Sequence, residues 1–406
     1  MRLDAPSPAR GWYQSEYEPL ARAFAESLPA AEVGAAVSVY QGSECVVRLY
    51  GGYADRRRRT PWQEDTRIVV FSASKGLTAM AFHLAAADGL FDWDQRVAEH
   101  WPGFAENGKD AITIRQLLNH QAGLSALEGP TLRLEDCLKP SLRVRRLLES
   151  QRPGEAKQAY HAITWGLYAA ELFAAITGEN VGPFLRRRVF EPLGSDARLG
   201  DGPEHDERTA TLYGVNIAAR AAFMAQAAAL NPLSAEAGIL RDMTRRNSLS
   251  RAAFANPAAG STGPLVYNER AVRRASLPWA SATASAEGLA RAYIPFANGG
   301  EAFGRRFFSA ASLAPLERRQ SWSFRDGVLQ KPVGWSQGFL KEERHLFSPN
   351  PGSFGHAGMG GSLGWADPAT GLAFGYVMNR MDWRVRSVRC LALCRALYEC
   401  EGVLRA

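Results

Sequence analysis

Cysteine is scarce: Cys45, Cys137, Cys390, Cys394 and Cys400 are spread over 406 residues. The number is odd and no spacing fits a zinc site, which argues against a disulfide framework or a zinc knuckle. Cys390 and Cys394, four apart in a helix-like tail, are expected to share one face as buried thiols. Long apolar runs are missing too, and none is long enough to span a bilayer. The opening stretch Met1 to Pro8 lacks an apolar signal core. Together these absences read as a reduced, cytoplasmic protein. No glycine-rich loop precedes a lysine as a P-loop requires. No histidine and carboxylate cluster has metal-ligand spacing. Neither cofactor nor metal is expected. Charge is only mildly unbalanced, at +7, and the basic residues are dispersed. The one dense run, Arg56 to Arg59, sits between Gly51-Gly52-Tyr53 and Thr60-Pro61 and reads as a solvated loop. No aromatic residues interleave with it to stack bases, so no nucleic-acid partner is expected.

What is present is ordinary globular material: 46% hydrophobic and 22% charged residues, enough for a large core and two or three structural units. Helical periodicity runs from Glu16 to Leu28. Ala35 to Tyr40 and Cys45 to Tyr50 are β-rich runs around the turn signal Gln41-Gly42-Ser43-Glu44, a hairpin. A short strand is predicted over Arg67 to Phe71. Beyond Ser72, Leu77, Met80, Ala81 and Leu84 fall on one helix face, with Gly89 as a C-terminal cap. Helical spacing dominates the middle, including Ile114 to Leu118, Ile163 to Ile176 and Ile217 to Leu230. Phe254 to Pro264 reads as a loop. A helix is expected over Ala284 to Asn298. Strand character returns beyond Gly334, with Gly361 to Ala366 and Gly371 to Val377 flanking the turn Asp367-Pro368-Ala369-Thr370. The last helix is expected over Arg384 to Tyr398. Residues 1–75 and 285–406 are thus expected to build one sheet-and-helix domain. Residues 76–284 would form a mostly helical domain, with a cleft between the two.

Three motifs carry chemistry. Ser72-Ala73-Ser74-Lys75 stands where a strand gives way to a helix. Positions i and i+3 share a helix face, which sets the Lys75 ammonium beside the Ser72 hydroxyl. A serine is a weak nucleophile until a neighbour takes its proton, and a desolvated lysine is able to do so. The helix N-terminus adds partial positive charge where an oxyanion develops. Tyr160-His161-Ala162 precedes another helix, and a tyrosine beside a lysine can act as a general base. His356-Ala357-Gly358 lies in a glycine-dense stretch, where backbone can approach a ligand closely. An edge strand there would offer the Met359 N–H, with the Ser72 N–H, as an oxyanion hole. Alone, each motif has a plainer reading: an exposed helix start, a buried aromatic, a satisfied histidine. Gly360-Gly361-Ser362-Leu363-Gly364 also fits Gly-x-Ser-x-Gly. That signature works on a strand-to-helix turn, and here a strand and hairpin follow. His120 reads as structural, His83 as lying on the polar side of its helix. Trp335 and Trp365 would either line an acyl pocket or pack the core.

The three motifs, in this order, resemble the penicillin-recognising serine enzymes: class C β-lactamases, D-Ala-D-Ala peptidases and family VIII carboxylesterases. Phe71 to Lys75 and Ile114 to Leu124 are similar to that family's most recognisable blocks. Gly355 to Gly364 and Phe374 to Met381 resemble its esterase branch. The resemblance spans about residues 30 to 400. It implies an α+β fold, an antiparallel sheet flanked by helices and built from both chain ends, with a mostly helical insertion. It also implies that Ser72 attacks the substrate carbonyl, that Lys75 and Tyr160 share the proton work, and that the third motif, with His356, Gly358 and Met359, lines the opposite wall; Trp365 is expected among the substrate-binding residues.

The departures are chemical. Ala162 stands where the β-lactamases carry an asparagine able to hold a lactam side chain. His356 stands where they carry a lysine, and histidine is mostly neutral near pH 7. Both changes favour uncharged esters. The leading expectation is therefore a carboxylesterase on small acyl esters, working through an acyl-enzyme. An acyltransferase would use the same intermediate with an alcohol or amine acceptor. A β-lactamase or peptidase ranks lower, and a non-catalytic scaffold lowest, because Ser72, Lys75 and Tyr160 are all present.

Overall fold

The computed structural model describes residues 9–155, 158–200, 207–215, 217–341, 347–382 and 384–404. Its strands in chain order are β1 (Arg10–Tyr13), β2 (Gly34–Gln41), β3 (Glu44–Asp55), β4 (Thr60–Pro61), β5 (Ile68–Val69), β6 (Thr283–Ala284) and β7 (Glu301–Ala302). There follow β8 (Arg305–Arg306), β9 (Ser321–Ser323), β10 (Val333–Ser336), β11 (Phe339–Lys341), β12 (Phe354–Ala357), β13 (Leu363–Asp367) and β14 (Leu372–Met378). One antiparallel sheet runs β1-β3-β2-β14-β13-β12-β11-β10-β9, with β4 paired to β3. The N-terminal hairpin β2–β3 pairs with the C-terminal strand β14 over seven residues, Leu372 opposite Gln41 through Met378 opposite Ala35. Both ends of the chain therefore build the sheet. Among the described residues, none of its strands falls within 76–284.

Turn chemistry sets the hairpins. Gly42 takes φ +59° between β2 and β3, and Gly371 takes +67° before β14, conformations that cost glycine little. Asp367 accepts the Ala369 N–H at 3.1 Å and closes the second turn. Burial is near-continuous along β2 and β14 because helices cover both faces. On one face lie α1 (Glu18–Ala31) and the helix Val388–Tyr398, with Leu20, Phe24, Leu393 and Leu397 in one cluster with Val37, Val39 and Phe374. On the other lies the helix Ala286–Ala297. Its close approach is possible because Gly364 and Gly375, paired across β13 and β14, have no side chains. A Cβ on Gly364 would collide with Tyr293, and one on Gly375 with the backbone of Ala286.

The helix α2 (Ala73–Ala87) runs through the core and is buried on nearly every face. His83 is accordingly not on a polar face. It is buried against Trp93 and Phe339, with Nε2 3.3 Å from the Gln337 carbonyl oxygen. Loss of hydration pushes its pKa down to about 3. Helices also occupy Ile114–Leu118, Leu142–Ser150, Thr164–Thr177, Ile217–Leu230, Ala235–Thr244 and Leu249–Ala255.

Other boundaries shift for local reasons. The strand expected over 67–71 shrinks to β5, which pairs with β6 instead of joining the large sheet. The last helix begins at Val388 because the Ser387 hydroxyl accepts the Cys390 N–H and caps it there. All five cysteines are unpaired thiols, and Cys390 and Cys394 are both buried. Among the described residues no helix is long and apolar enough to cross a membrane.

Candidate active site

The pairing of β5 with β6 fixes the approach to Ser72. Phe71 then adopts φ +47°, a left-handed conformation that costs a non-glycine residue about 1–3 kcal/mol. Its buried ring, edge-on to Tyr267 at 5.4 Å, holds the turn in place. Ser72 emerges from it half-buried at the head of α2.

Lys75 lies one turn further on and is fully buried. Its Nζ is 3.1 Å from Ser72 Oγ, 2.7 Å from the Ala162 carbonyl oxygen and 3.3 Å from that of Trp279. Among the described residues no carboxylate pairs with it. Desolvation, with no compensating anion, drives its pKa well below the ordinary lysine value. A neutral amine has two N–H donors and one lone pair. In that form the Ala162 and Trp279 carbonyls can take both donors and leave the lone pair for the Ser72 hydroxyl; in the protonated form all three N–H groups are used.

Tyr160 approaches Ser72 from the other side. Its hydroxyl donates to Ser72 Oγ at 2.9 Å, and its ring centroid lies 4.9 Å from Lys75 Nζ. Burial raises its pKa, against the Ser72 hydrogen bond and with a smaller push from the Asp326 charge, so the phenol is held protonated. The Tyr160 N–H donates to Asp326 Oδ2 at 2.9 Å. The next N–H, of His161, donates to His120 Nδ1 at 2.9 Å. His120 thus carries its proton on Nε2. His161 Nε2 accepts the Leu124 N–H at 3.0 Å, so its Nδ1–H donates to the Ala159 carbonyl at 2.8 Å. The two histidines are neutral struts: burial pushes His161 down to about 4 and His120 well below its usual value.

The third motif lies at the end of β12. This strand is interior, between β11 and β13, and not an edge. It stops at Ala357, and the chain turns back, with the Gly358 N–H donating to the Ser362 carbonyl at 2.7 Å. A Cβ on Gly358 would strike the Val70 carbonyl, so glycine is what lets this turn pass just ahead of Ser72. Met359, beyond the strand, is exposed. Among the described residues neither its N–H nor that of Ser72 finds a protein acceptor. His356 is buried with its centroid 6.4 Å from that of Tyr160, and its Nδ1 lies 2.9 Å from the Ala357 carbonyl oxygen. Burial pushes its pKa down to about 3, so it is neutral near pH 7.

Two tryptophans separate. Trp335 stacks on Tyr160 with centroids 5.6 Å apart and ring planes 9° from parallel. Trp365 packs on Phe347 and, with Cys394 and Leu397, lines a small pocket under the C-terminal helix. By register it shares the sheet face of Trp335, through Gly355 and Leu340, the face turned away from the helix Ala286–Ala297. Ser362 is buried and its hydroxyl donates to the Val70 carbonyl at 2.8 Å, which leaves it no role as nucleophile.

Sequence reasoning missed Asp326 and understated His120. Nothing local marks Asp326, because Arg325-Asp326-Gly327 reads only as a turn. His120 sits at φ +59°, inside the block Asn119-His120-Gln121 already noted for its resemblance.

Residues 21–393 match the β-lactamase family model. The protein is 35% identical over 384 residues to the esterase/β-lactamase LipL of Mycobacterium tuberculosis, covering 93% of this chain and 85% of that one. Its fold matches the crystal structure of a family VIII carboxylesterase with a TM-score of 0.83 and 32% identity, over 97% and 99% of the two chains. It matches a penicillin-binding protein homologue from Caulobacter crescentus with a TM-score of 0.81 and 28% identity, over 97% and 100%. The fold is therefore β-lactamase/transpeptidase-like, an antiparallel sheet flanked by helices. The chain belongs to the β-lactamase family, among its esterase/β-lactamase-like serine hydrolases.

Proposed function

We propose that the protein is a carboxylesterase that cleaves small, uncharged acyl esters through an acyl-enzyme on Ser72. The observation that carries this reading is the Ser72 hydroxyl between a buried, unpaired Lys75 at 3.1 Å and the Tyr160 hydroxyl at 2.9 Å. In acylation Ser72 Oγ attacks the ester carbonyl carbon and its proton passes to the Lys75 lone pair. The Ser72 and Met359 N–H groups receive the oxyanion, helped by the N-terminus of α2. As the carbon–oxygen bond to the alcohol breaks, the Tyr160 hydroxyl gives that oxygen its proton. In deacylation water attacks the acyl carbon, returns a proton to Tyr160, and Ser72 recovers its own from Lys75. Protons balance over the cycle, and the pair acts as one unit.

Substrate charge is set by the third motif and by Ala162. A neutral His356 and a methyl side chain at 162 supply neither a cation nor an amide. Both features support uncharged esters over carboxylate-bearing lactams. An alcohol replacing water in the second step would make the same intermediate an acyl donor.

The test is intact-protein mass spectrometry after treatment with a fluorophosphonate, with p-nitrophenyl butyrate turnover in parallel. One adduct and turnover, both lost in Ser72→Ala, are the expected result. An adduct that survives the substitution, or cephalosporin turnover far above ester turnover, would overturn the reading.

A further inference from the structure

The β9–β10 hairpin crosses from the large sheet to the Tyr160 side of the site and grips that residue twice. The loop between its strands carries Asp326, whose carboxylate is fully buried. One oxygen accepts the Tyr160 N–H at 2.9 Å. The other accepts the N–H groups of Val328 at 2.9 Å and Leu329 at 2.8 Å. Three backbone donors on one carboxylate make the loop and the Tyr160 backbone a single rigid unit. The second grip is Trp335 on β10, whose indole lies parallel to the Tyr160 phenol. His120 closes the remaining side of the ring, with centroids 4.9 Å apart.

We infer that this hairpin is a positioning element that aims the Tyr160 hydroxyl at the leaving-group oxygen, with Asp326 and Trp335 as its two positioning residues. The inference rests on the acyl-enzyme reading of Ser72 and adds how its proton donor is held. Asp326 acts through the Tyr160 backbone, and Trp335 through the Tyr160 ring and through His120, 4.1 Å away, which packs on the same ring; Trp335 also lies 5.7 Å from His356. The charged or titratable groups around the phenol are Lys75, His120, His356 and Asp326 itself, with Lys331 on the Asp326 loop. Burial lowers the pKa of Lys75, His120 and His356 and raises that of Asp326, whose three N–H donors work against that rise; the Asp326 charge opposes ionisation of Tyr160.

Leaving-group chemistry separates positioning from folding. A nitrophenolate leaves without a proton, whereas an alkoxide needs one in the transition state. The experiment measures kcat/KM for p-nitrophenyl butyrate and for ethyl butyrate on wild type, Asp326→Asn, Trp335→Leu, Tyr160→Phe and the Asp326→Asn/Tyr160→Phe double variant. The alkyl-to-nitrophenyl ratio is independent of the fraction of folded enzyme. The expected result is a ratio lowered about tenfold or more in Asp326→Asn, Trp335→Leu and Tyr160→Phe. The double variant is expected to fall no further than Tyr160→Phe alone. If Asp326→Asn is recovered only in aggregates, the Trp335→Leu ratio decides. An unchanged ratio in the soluble hairpin variants, or further loss in the double variant equal to that of Asp326→Asn alone, would overturn the inference. Loss of turnover in Ser72→Ala, measured beside them, keeps the Ser72 reading separate from that result.

Discussion

At the scale of single residues, the proposed mechanism depends on a lysine kept out of water, with no carboxylate partner among the described residues. That arrangement destabilises the fold wherever the unfolded chain would protonate Lys75. Its folded pKa is depressed, so between that value and about 10.4 the unfolded state binds one proton more. Stability therefore rises with pH through that window and loses its Lys75 penalty only above it. Each unit of displacement is worth about 1.4 kcal/mol. Lys75→Met is expected to raise stability near pH 7, to flatten this slope, and to lower kcat/KM at least about a hundredfold. Urea unfolding across pH, beside ester assays, checks all three. Activity in the wild type is expected to fall as pH drops through the lowered Lys75 pKa. His356, already neutral above about pH 3, contributes nothing to that limb. His356→Gln should leave the limb in place, and a pH profile that shifts instead would reassign it. His356→Lys restores a cation and is expected to raise the preference for a carboxylate-bearing ester over its neutral analogue roughly ten- to hundredfold.

At the scale of elements, close approach counts for more than sequence pattern. The hairpins β2–β3 and β13–β14 were legible because alternation and turn residues are local signals, as was the helix after Ser72. Gly364 and Gly375 were not, since nothing in a strand pattern says that a helix will lie on them. Gly375→Ala puts a methyl group into the Ala286 carbonyl and is expected to cost about 1–3 kcal/mol, read as a lower urea midpoint. The long polar-looking face assigned to His83 failed for a related reason: α2 is enclosed on all sides, so its periodicity described only half of its contacts. Ser72, Lys75 and Tyr160 could be proposed as candidates because motif spacing brings them into view, and the structure brings the three side chains together. Asp326 could not, because its partner is a backbone N–H 166 residues away.

At the scale of the whole molecule, the site joins three distant stretches. Tyr160 meets Ser72 across 88 residues and Asp326 across 166. Such contacts exist only when both chain ends have closed the sheet. Inactivation in urea is therefore expected to coincide with the loss of tryptophan fluorescence, since Trp165, Trp279 and Trp335 all pack near these residues. An inactivation midpoint well below the fluorescence midpoint would show that the site opens first.

The distance between Tyr160 and the carboxylate that holds it also has a meaning in time. A ribosome adds about 5–20 residues per second, so residue 326 is made roughly 10–30 s after residue 160. Through that interval the growing chain already carries its serine, lysine and tyrosine, yet the tyrosine has no anchor and the sheet lacks its C-terminal strands. On the proposed mechanism, synthesis would withhold hydrolytic power from every unfinished copy, and a message cut short before codon 326 would yield a chain without that anchor.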